Sequence, residues 1–319
     1  MNTKDIILKS MGGRLRFVLS ALTERDFEQI EEIRIRAKKP LCIKKENKEI
    51  FLTEQGTITL EPQRAFYTEA YEIQNSLELL SRFSLYAFEE ELKNGFITIE
   101  GGHRIGITGK VTTENGHVKM IQNMNALNIR ISHEKKGCAD NILEYIVENG
   151  ELLHTLIISP PGCGKTTLLR DIVRQVSNGK DKLLFGKNVG VADERGEIAG
   201  CYQGIAQNDV GIRTDVLDSC PKAEGMLLLV RSMSPQIIAA DEIGKDEDIY
   251  ALESIMNSGI HLICTVHGKG IEDILRKPVL GQLLEKNIFQ RFIVLCKRKS
   301  VGEIEGIYNE RFQNIYRRK

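Results

Sequence analysis

HTLIISPPGCGKTTLLR, from His154 to Arg170, holds three elements in a short span. Thr155-Leu156-Ile157-Ile158 reads as a buried strand. Ser159-Pro160-Pro161-Gly162-Cys163-Gly164 reads as a turn. Lys165-Thr166-Thr167 opens a helix in which Leu168, Leu169, Ile172 and Val173 recur at helical spacing. Strand, glycine turn and helix in this order make a cradle for phosphate. Glycines let the backbone wrap closely with its N–H groups turned inward, and the helix N-terminus favours negative charge. The pattern puts Lys165 on the β- and γ-phosphates and the Thr166 hydroxyl on Mg²⁺. Ser159 stands at the first place of G-x-x-x-x-G-K-[ST], where glycine is usual, and Pro160-Pro161 stiffens the entry. The plainer reading, a glycine turn with a solvated lysine, does not account for a long motif set between a strand and a helix.

Such a cradle needs a carboxylate on the side opposite Thr166. Ile237-Ile238-Ala239-Ala240 reads as a buried parallel strand and ends in Asp241-Glu242. Asp241 is expected to hold Mg²⁺ through water and Glu242 to polarise an attacking water, which points to hydrolysis more than to a nucleotide switch. An exposed strand end is the alternative for an Asp-Glu pair. No N-K-x-D word follows to read guanine; Asn178-Gly179-Lys180-Asp181 is a scrambled near match in the wrong place, so ATP is the expected nucleotide. Two more apolar runs end in polar residues: Val189 to Ala192 in Asp193-Glu194-Arg195, and Leu262 to Val266 in His267. In a parallel sheet these ends lie beside the loop, which singles out His267 from the other histidines.

The 319 residues allow about two domains. Lys plus Arg equals Asp plus Glu at 44 each, so no global field draws in nucleic acid or an anionic membrane. Seven cysteines, odd in number and without a C-x-x-C pair, fit reduced thiols in a cytoplasmic protein better than disulfides or a zinc site. No signal peptide or membrane span is expected, so membrane contact would come only through a partner.

Residues 1–30 read as short helices. Period-two alternation follows at Ile33 to Arg36, with short strands at Cys42-Ile43 and Ile50 to Leu52. A helix is expected from Glu69 to Phe83, continuing to Glu91. Strands are expected at Phe96 to Ile99, His103 to Thr112, Val118 to Ile121 and Ala126 to Ile131, with Asn115-Gly116 as a hairpin turn. A polar connector, His133 to Gly137, divides a mixed α+β domain, 1–135, from a second domain, 136–319. There, after a helix from Asp140 to Val147, strands at 154–159, 188–193, 236–241, 260–266 and 291–296 alternate with helices at 165–177, 222–232, 246–258 and 271–276. This implies a parallel sheet wrapped by helices. The basic tail from Arg311 to Lys319 reads as a terminal helix, packed or frayed, or else as a docking segment.

With the four strand ends in place, residues from about 150 to 270 resemble the secretion ATPase superfamily, which drives type II and type IV secretion and pilus motors. SPPGCGKTT looks like its phosphate loop and VADERGEIAG stands for its acidic box. LLLVRSMSPQIIAADEIG resembles its arginine helix and Walker B run, and ICTVHG its histidine box. DERGEIAG, GIRTDVLDSCPKAEGM, EEIRIRAKKPL and GHRIGITGKV together are similar to a sporulation branch of endospore-forming bacteria. DEIG stands where most relatives carry G-E-I-R.

The resemblance implies a RecA-like P-loop NTPase fold binding ATP and Mg²⁺. Ser159, Pro160, Pro161, Gly162, Cys163, Gly164, Lys165, Thr166 and Thr167 would form the loop, and Thr166 and Asp241 would hold the metal. Glu242, Lys165 and His267 would be catalytic, with Asp193, Glu194 and Arg231 at the nucleotide. It also implies a homo-hexameric ring in which Arg231, Arg195, Arg213, Arg104 or Arg130 is offered to a neighbour's nucleotide. The motor would sit on the mother-cell face of the mother cell–forespore channel, on a membrane-embedded partner encoded beside it. A nucleic-acid-dependent RecA-like motor is the alternative, but the chain is neutral and has no tryptophan, so nucleic acid is not expected. A nucleotide-binding scaffold that hydrolyses little is a third class.

Overall fold

The computed structural model describes residues 2–46, 48–80, 95–297 and 301–317. It divides into two compact units, Met1–His133 and Glu134–Lys319.

In the first unit, short helices Thr3–Lys9, Gly13–Ser20 and Glu24–Gln29 precede an antiparallel sheet. Its strands are β1 (Ile30–Arg36), β2 (Cys42–Lys45), β3 (Lys48–Leu52), β4 (Ile58–Thr59), β5 (Phe96–Ile99), β6 (His103–Glu114) and β7 (His117–Arg130), in the order β4-β3-β2-β1-β7-β6-β5. The helix expected from Glu69 spans Ala70–Leu80; the remainder of that expectation lies outside the described residues. Its apolar stripe, with Ile73, Leu77 and Leu80, joins Ile33, Ile105 and Ile129 of the strands in one core. The two strands expected at 118–121 and 126–131 are one, β7, which pairs with β6 through two register shifts. Gly109 sits at the first shift, where a Cβ would collide with the Gln122 carbonyl oxygen. Asn115 and Gly116 both have positive φ, 52° and 79°, the hairpin geometry the Asn-Gly pair favours.

In the second unit the strands are β8 (Val147–Glu148), β9 (Glu151–Leu152), β10 (Thr155–Ser159), β11 (Val189–Asp193), β12 (Thr214–Asp218), β13 (Ile237–Ala240), β14 (His261–His267), β15 (Arg291–Cys296) and β16 (Glu303–Asn309). The main sheet runs β12-β11-β13-β14-β10-β15-β16, parallel except for the antiparallel edge strand β16. Side chains alternate between its two faces. Ile157 joins a core under helix Lys165–Asn178, and Leu156 and Ile158 join another under helices Lys222–Met233, Asp246–Asn257 and Pro278–Glu285.

Three expectations need correction. The helix expected from Asp140 to Val147 is only Leu143–Ile146, and Val147 begins the small β8–β9 pair. β12, β16 and helix Pro278–Glu285 add to the expected elements. The tail up to Arg317 is not helical: it folds back on β16, with Ile315 N donating to Ile307 O at 2.8 Å and the Tyr316 ring set edge-on to Tyr145. All seven cysteines are free thiols. Among the described residues no helix is long and apolar enough to cross a membrane.

Candidate active site

Strand order builds the site. β10, which feeds the loop, and β13, which carries Asp241 and Glu242 at its end, are not neighbours; β14 lies between them. In parallel strands the carboxyl ends lie along one edge, and Ser159 pairs in register with His267. Thr265 and His267, two residues apart, share one face of β14 and stand between the loop and the carboxylates.

Gly162 and Gly164 have φ of 69° and 83°, the left-handed backbone that lets a loop curl. Gly164 is also the N-cap of helix Lys165–Asn178, so the first N–H groups of that helix face into the loop. Ser159 is the last residue of β10, fully buried in extended backbone, with its hydroxyl donated to Pro160 O at 2.9 Å. This place therefore needs no glycine conformation. Pro160 and Pro161 carry the chain out of the strand, and Cys163 is buried, with its Sγ–H toward Pro161 O. Thr167 is half-buried, and its carbonyl accepts from Cys138 Sγ.

The loop and the β13 carboxylates meet directly. Lys165 Nζ donates to Glu242 Oε1 at 2.6 Å, and Thr166 Oγ1 donates to Asp241 Oδ2 at 2.5 Å. Glu242 also faces His267 Nε2 at 2.7 Å and Arg195 Nη1 at 2.7 Å. His267 Nε2 thus carries a proton toward the carboxylate, and its buried Nδ1 has no hydrogen-bond partner among the described residues. Burial pushes the Glu242 carboxyl upward, but the Lys165 hydrogen bond and the charges of Lys165, His267 and Arg195 outweigh it and hold it below the usual carboxylate range. These pairs draw the site in, leaving a cavity of about 20 Å³ lined by Asp193, Glu194, Lys222, Asp241 and Glu242.

Other expected residues take different places. Asp193, 2% exposed, accepts the N–H groups of Glu197, Ile198 and Ala199 at 2.8, 3.1 and 2.8 Å, shaping the turn after β11. Burial raises its carboxyl, only partly offset by those N–H groups. Glu194 lies 3.4 Å from Lys222 Nζ. Arg231 is exposed, and its Nε–H goes to Leu227 O of its own helix, not to the carboxylates. Arg213 donates to Ser177 O at the far end of the loop helix. In the first unit Arg104 lies over the Phe96 ring and Arg130 is exposed.

Three residues absent from the sequence expectations enter the cluster. Thr265 donates to Asp241 Oδ1 and accepts Glu242 N at 2.9 Å. Lys222 donates to Glu242 O at 2.6 Å. Arg170, on the loop helix, reaches the turn after β11 by donating to Ile198 O and Glu197 O at 2.6 and 2.7 Å. Thr265 had a signal, its two-residue spacing from His267. Lys222 had only a weak one: a lysine in a helix's first turn opposes the dipole and needs partners.

The donor set suits a nucleotide and a hard cation. A hydroxyl and a carboxylate oxygen meet at Thr166 and Asp241, the oxygen ligands Mg²⁺ prefers, and, its two chain neighbours aside, no atom of the described residues lies within 4 Å of where a Gly162 Cβ would be.

Comparison with known proteins bears on the family and the fold. The family model described as "Sporulation stage III, protein AA" matches residues 1–315. Stage III sporulation protein AA of Bacillus subtilis (strain 168) is 42% identical over 296 residues, covering 93% of this chain and 92% of that one. Among solved structures, the ATPase DotB of Yersinia pseudotuberculosis is similar at a TM-score of 0.59 and 16% identity, over 95% of this chain and 81% of that one. The pilus retraction motor PilT, solved with bound ADP, is similar at 0.53 and 13%, over 92% and 78%. At these identities the likeness is one of fold: a RecA-like P-loop α/β domain preceded by a smaller α+β domain.

Proposed function

The chain belongs to the sporulation stage III protein AA family, and on that premise we propose that it is a Mg²⁺-dependent ATPase of the secretion-motor kind, hydrolysing ATP to ADP and phosphate. Residues 159–167 would cradle the triphosphate, with Lys165 on its terminal phosphates. Thr166 and Asp241 would hold Mg²⁺. Bound there, the ion would offset charge on the phosphoryl oxygens. Glu242, released from Lys165 when that lysine turns to phosphate, would orient and polarise a water, while His267 beside it would sense the γ-phosphate. The observation that carries the reading is the meeting of Thr166 with Asp241 at 2.5 Å and of Lys165 and His267 with Glu242 at 2.6 and 2.7 Å.

The finer parts of the proposal come from the family. The chain works as a homo-hexamer in the cytoplasm of the mother cell. It acts on a membrane-embedded protein of the channel to the forespore, and powers that channel's assembly or transport through it. Arg195, which is 64% exposed at its side chain and already on Glu242, is the arginine best placed to answer a nucleotide. Mass measurement in solution with and without Mg²⁺ and ATP tests the assembly. A ring that forms or tightens with nucleotide supports it, and a strict monomer throughout counts against shared sites. Turnover stimulated by DNA or RNA would instead favour a nucleic-acid motor.

A further inference from the structure

Glu242 has a left-handed backbone, φ 54°, which is uncommon for a glutamate. Two buried side chains from separate elements grip its peptide groups. Thr265 of β14, fully buried, accepts the Glu242 N–H at 2.9 Å while donating its own proton to Asp241 Oδ1. On the other side Lys222, 8% exposed in the first turn of its helix, donates to the Glu242 carbonyl at 2.6 Å. The Lys222 ammonium is steadied by Glu194 at 3.4 Å and Asp248 at 3.9 Å. Asp248 in turn accepts the N–H groups of Gly244 and Lys245, so the chain beyond Glu242 is fixed as well. A buried ammonium at the positive end of a helix is an expensive arrangement. Of these three contacts the shortest is to the carbonyl of the residue whose carboxylate faces Lys165 and His267.

We propose that Lys222 and Thr265 are positioning residues for the hydrolytic step, clasping Glu242 by its carbonyl and N–H so that the left-handed conformer aims the carboxylate into the site. This rests on the reading of the chain as an ATPase. It gives Glu194 a role through Lys222, apart from any contact with nucleotide. The Thr265 hydroxyl uses both its donor and its acceptor here; serine keeps both and valine neither.

The test uses the full chain with Mg²⁺ and ATP, measuring turnover, affinity for a fluorescent ATP analogue and thermal melting. Thr265→Val and Lys222→Met are expected to lower kcat on the order of a hundredfold, as for a misplaced catalytic group. Affinity for the analogue should stay within about threefold, and Thr265→Ser should keep turnover within about threefold of the parent. In a Glu242→Gln background, Lys222→Met should subtract no further rate, because it acts through that carboxylate. The proposal is overturned if the Val and Met variants turn over like the parent, if affinity falls in step with turnover, or if serine fails as valine does. Should Lys222→Met melt before assay, the serine and valine pair decides alone. A parent that neither binds nor hydrolyses ATP overturns the ATPase reading and this one with it, whereas an active parent with unaffected variants overturns the clasp alone.

Discussion

At Glu242 three cationic or proton-bearing side chains, Lys165, His267 and Arg195, converge on one carboxylate. Its depressed pKa means that the stabilisation it contributes is fully present above the usual carboxylate range and is lost as pH falls through the folded value. Glu242→Gln removes that charge from beside Lys165, itself 8% exposed. Without nucleotide it is expected to cost about 1–3 kcal/mol at pH 7, with the gap to the parent closing on acidification; urea unfolding at pH 7 and pH 3 checks this. That Lys165, Thr166, Asp241, Glu242 and His267 would come together was legible because each sits in a local word with a mechanism. Thr265 offered only its spacing from His267 and Lys222 only its place in a helix's first turn, because their partners depend on which elements the fold sets side by side. Arg231 was placed by analogy of position, and its side chain turns to its own helix.

Among elements, the phosphate loop separates two substitutions that look alike on paper. Gly164→Ala puts a Cβ on a residue with φ 83°, 3.2 Å from Val301 Cγ1. The left-handed backbone alone should cost about 1–2 kcal/mol, and ATP affinity should fall by about tenfold or more as the loop shifts. Ser159→Gly, which restores the usual first glycine of the motif, should bring no gain in ATP affinity. It should lower stability by about 0.5–1 kcal/mol, because Ser159 is a buried strand residue. Thermal melts and nucleotide titrations of both variants decide. The central strands β10, β13 and β14 were legible as unbroken apolar runs bounded by polar ends. The edges were less so: β12 is half-exposed along most of its length, and β16 mixes charge with a glycine, so neither shows a buried-strand pattern. The tail looked helical because Phe312, Ile315 and Tyr316 recur at helical spacing, yet Ile315 bonds back to β16.

Across the whole molecule, each unit holds a histidine whose surroundings favour the neutral form, buried His103 in the first and half-buried His154 in the second. His103 in the first is pushed down to about 4 by burial and by His133, and its Nδ1 accepts the Ser132 N–H at 3.1 Å. His154 in the second is pushed down to about 4 by burial and by His261, and its Nδ1 accepts the Leu262 N–H at 3.2 Å. Unfolded, both take up a proton near their ordinary value of 6.5. Stability is therefore full above that value and falls as pH drops from 6.5 toward 4, by at most about 3 kcal/mol for each histidine. His103→Asn should flatten this dependence in the first unit and leave it in the second, as read by denaturant unfolding with probes in each. The polar connector at His133 to Gly137 interrupts both hydrophobic patterns, and the two compact units divide between His133 and Glu134.

The most direct measurement is phosphate release and ATP retention by the full chain with Mg²⁺, alongside Lys165→Ala and Glu242→Gln. The parent should hydrolyse ATP, Lys165→Ala should fail to hold it, and Glu242→Gln should bind ATP and keep it intact. Equal and undiminished turnover in all three would contradict the account.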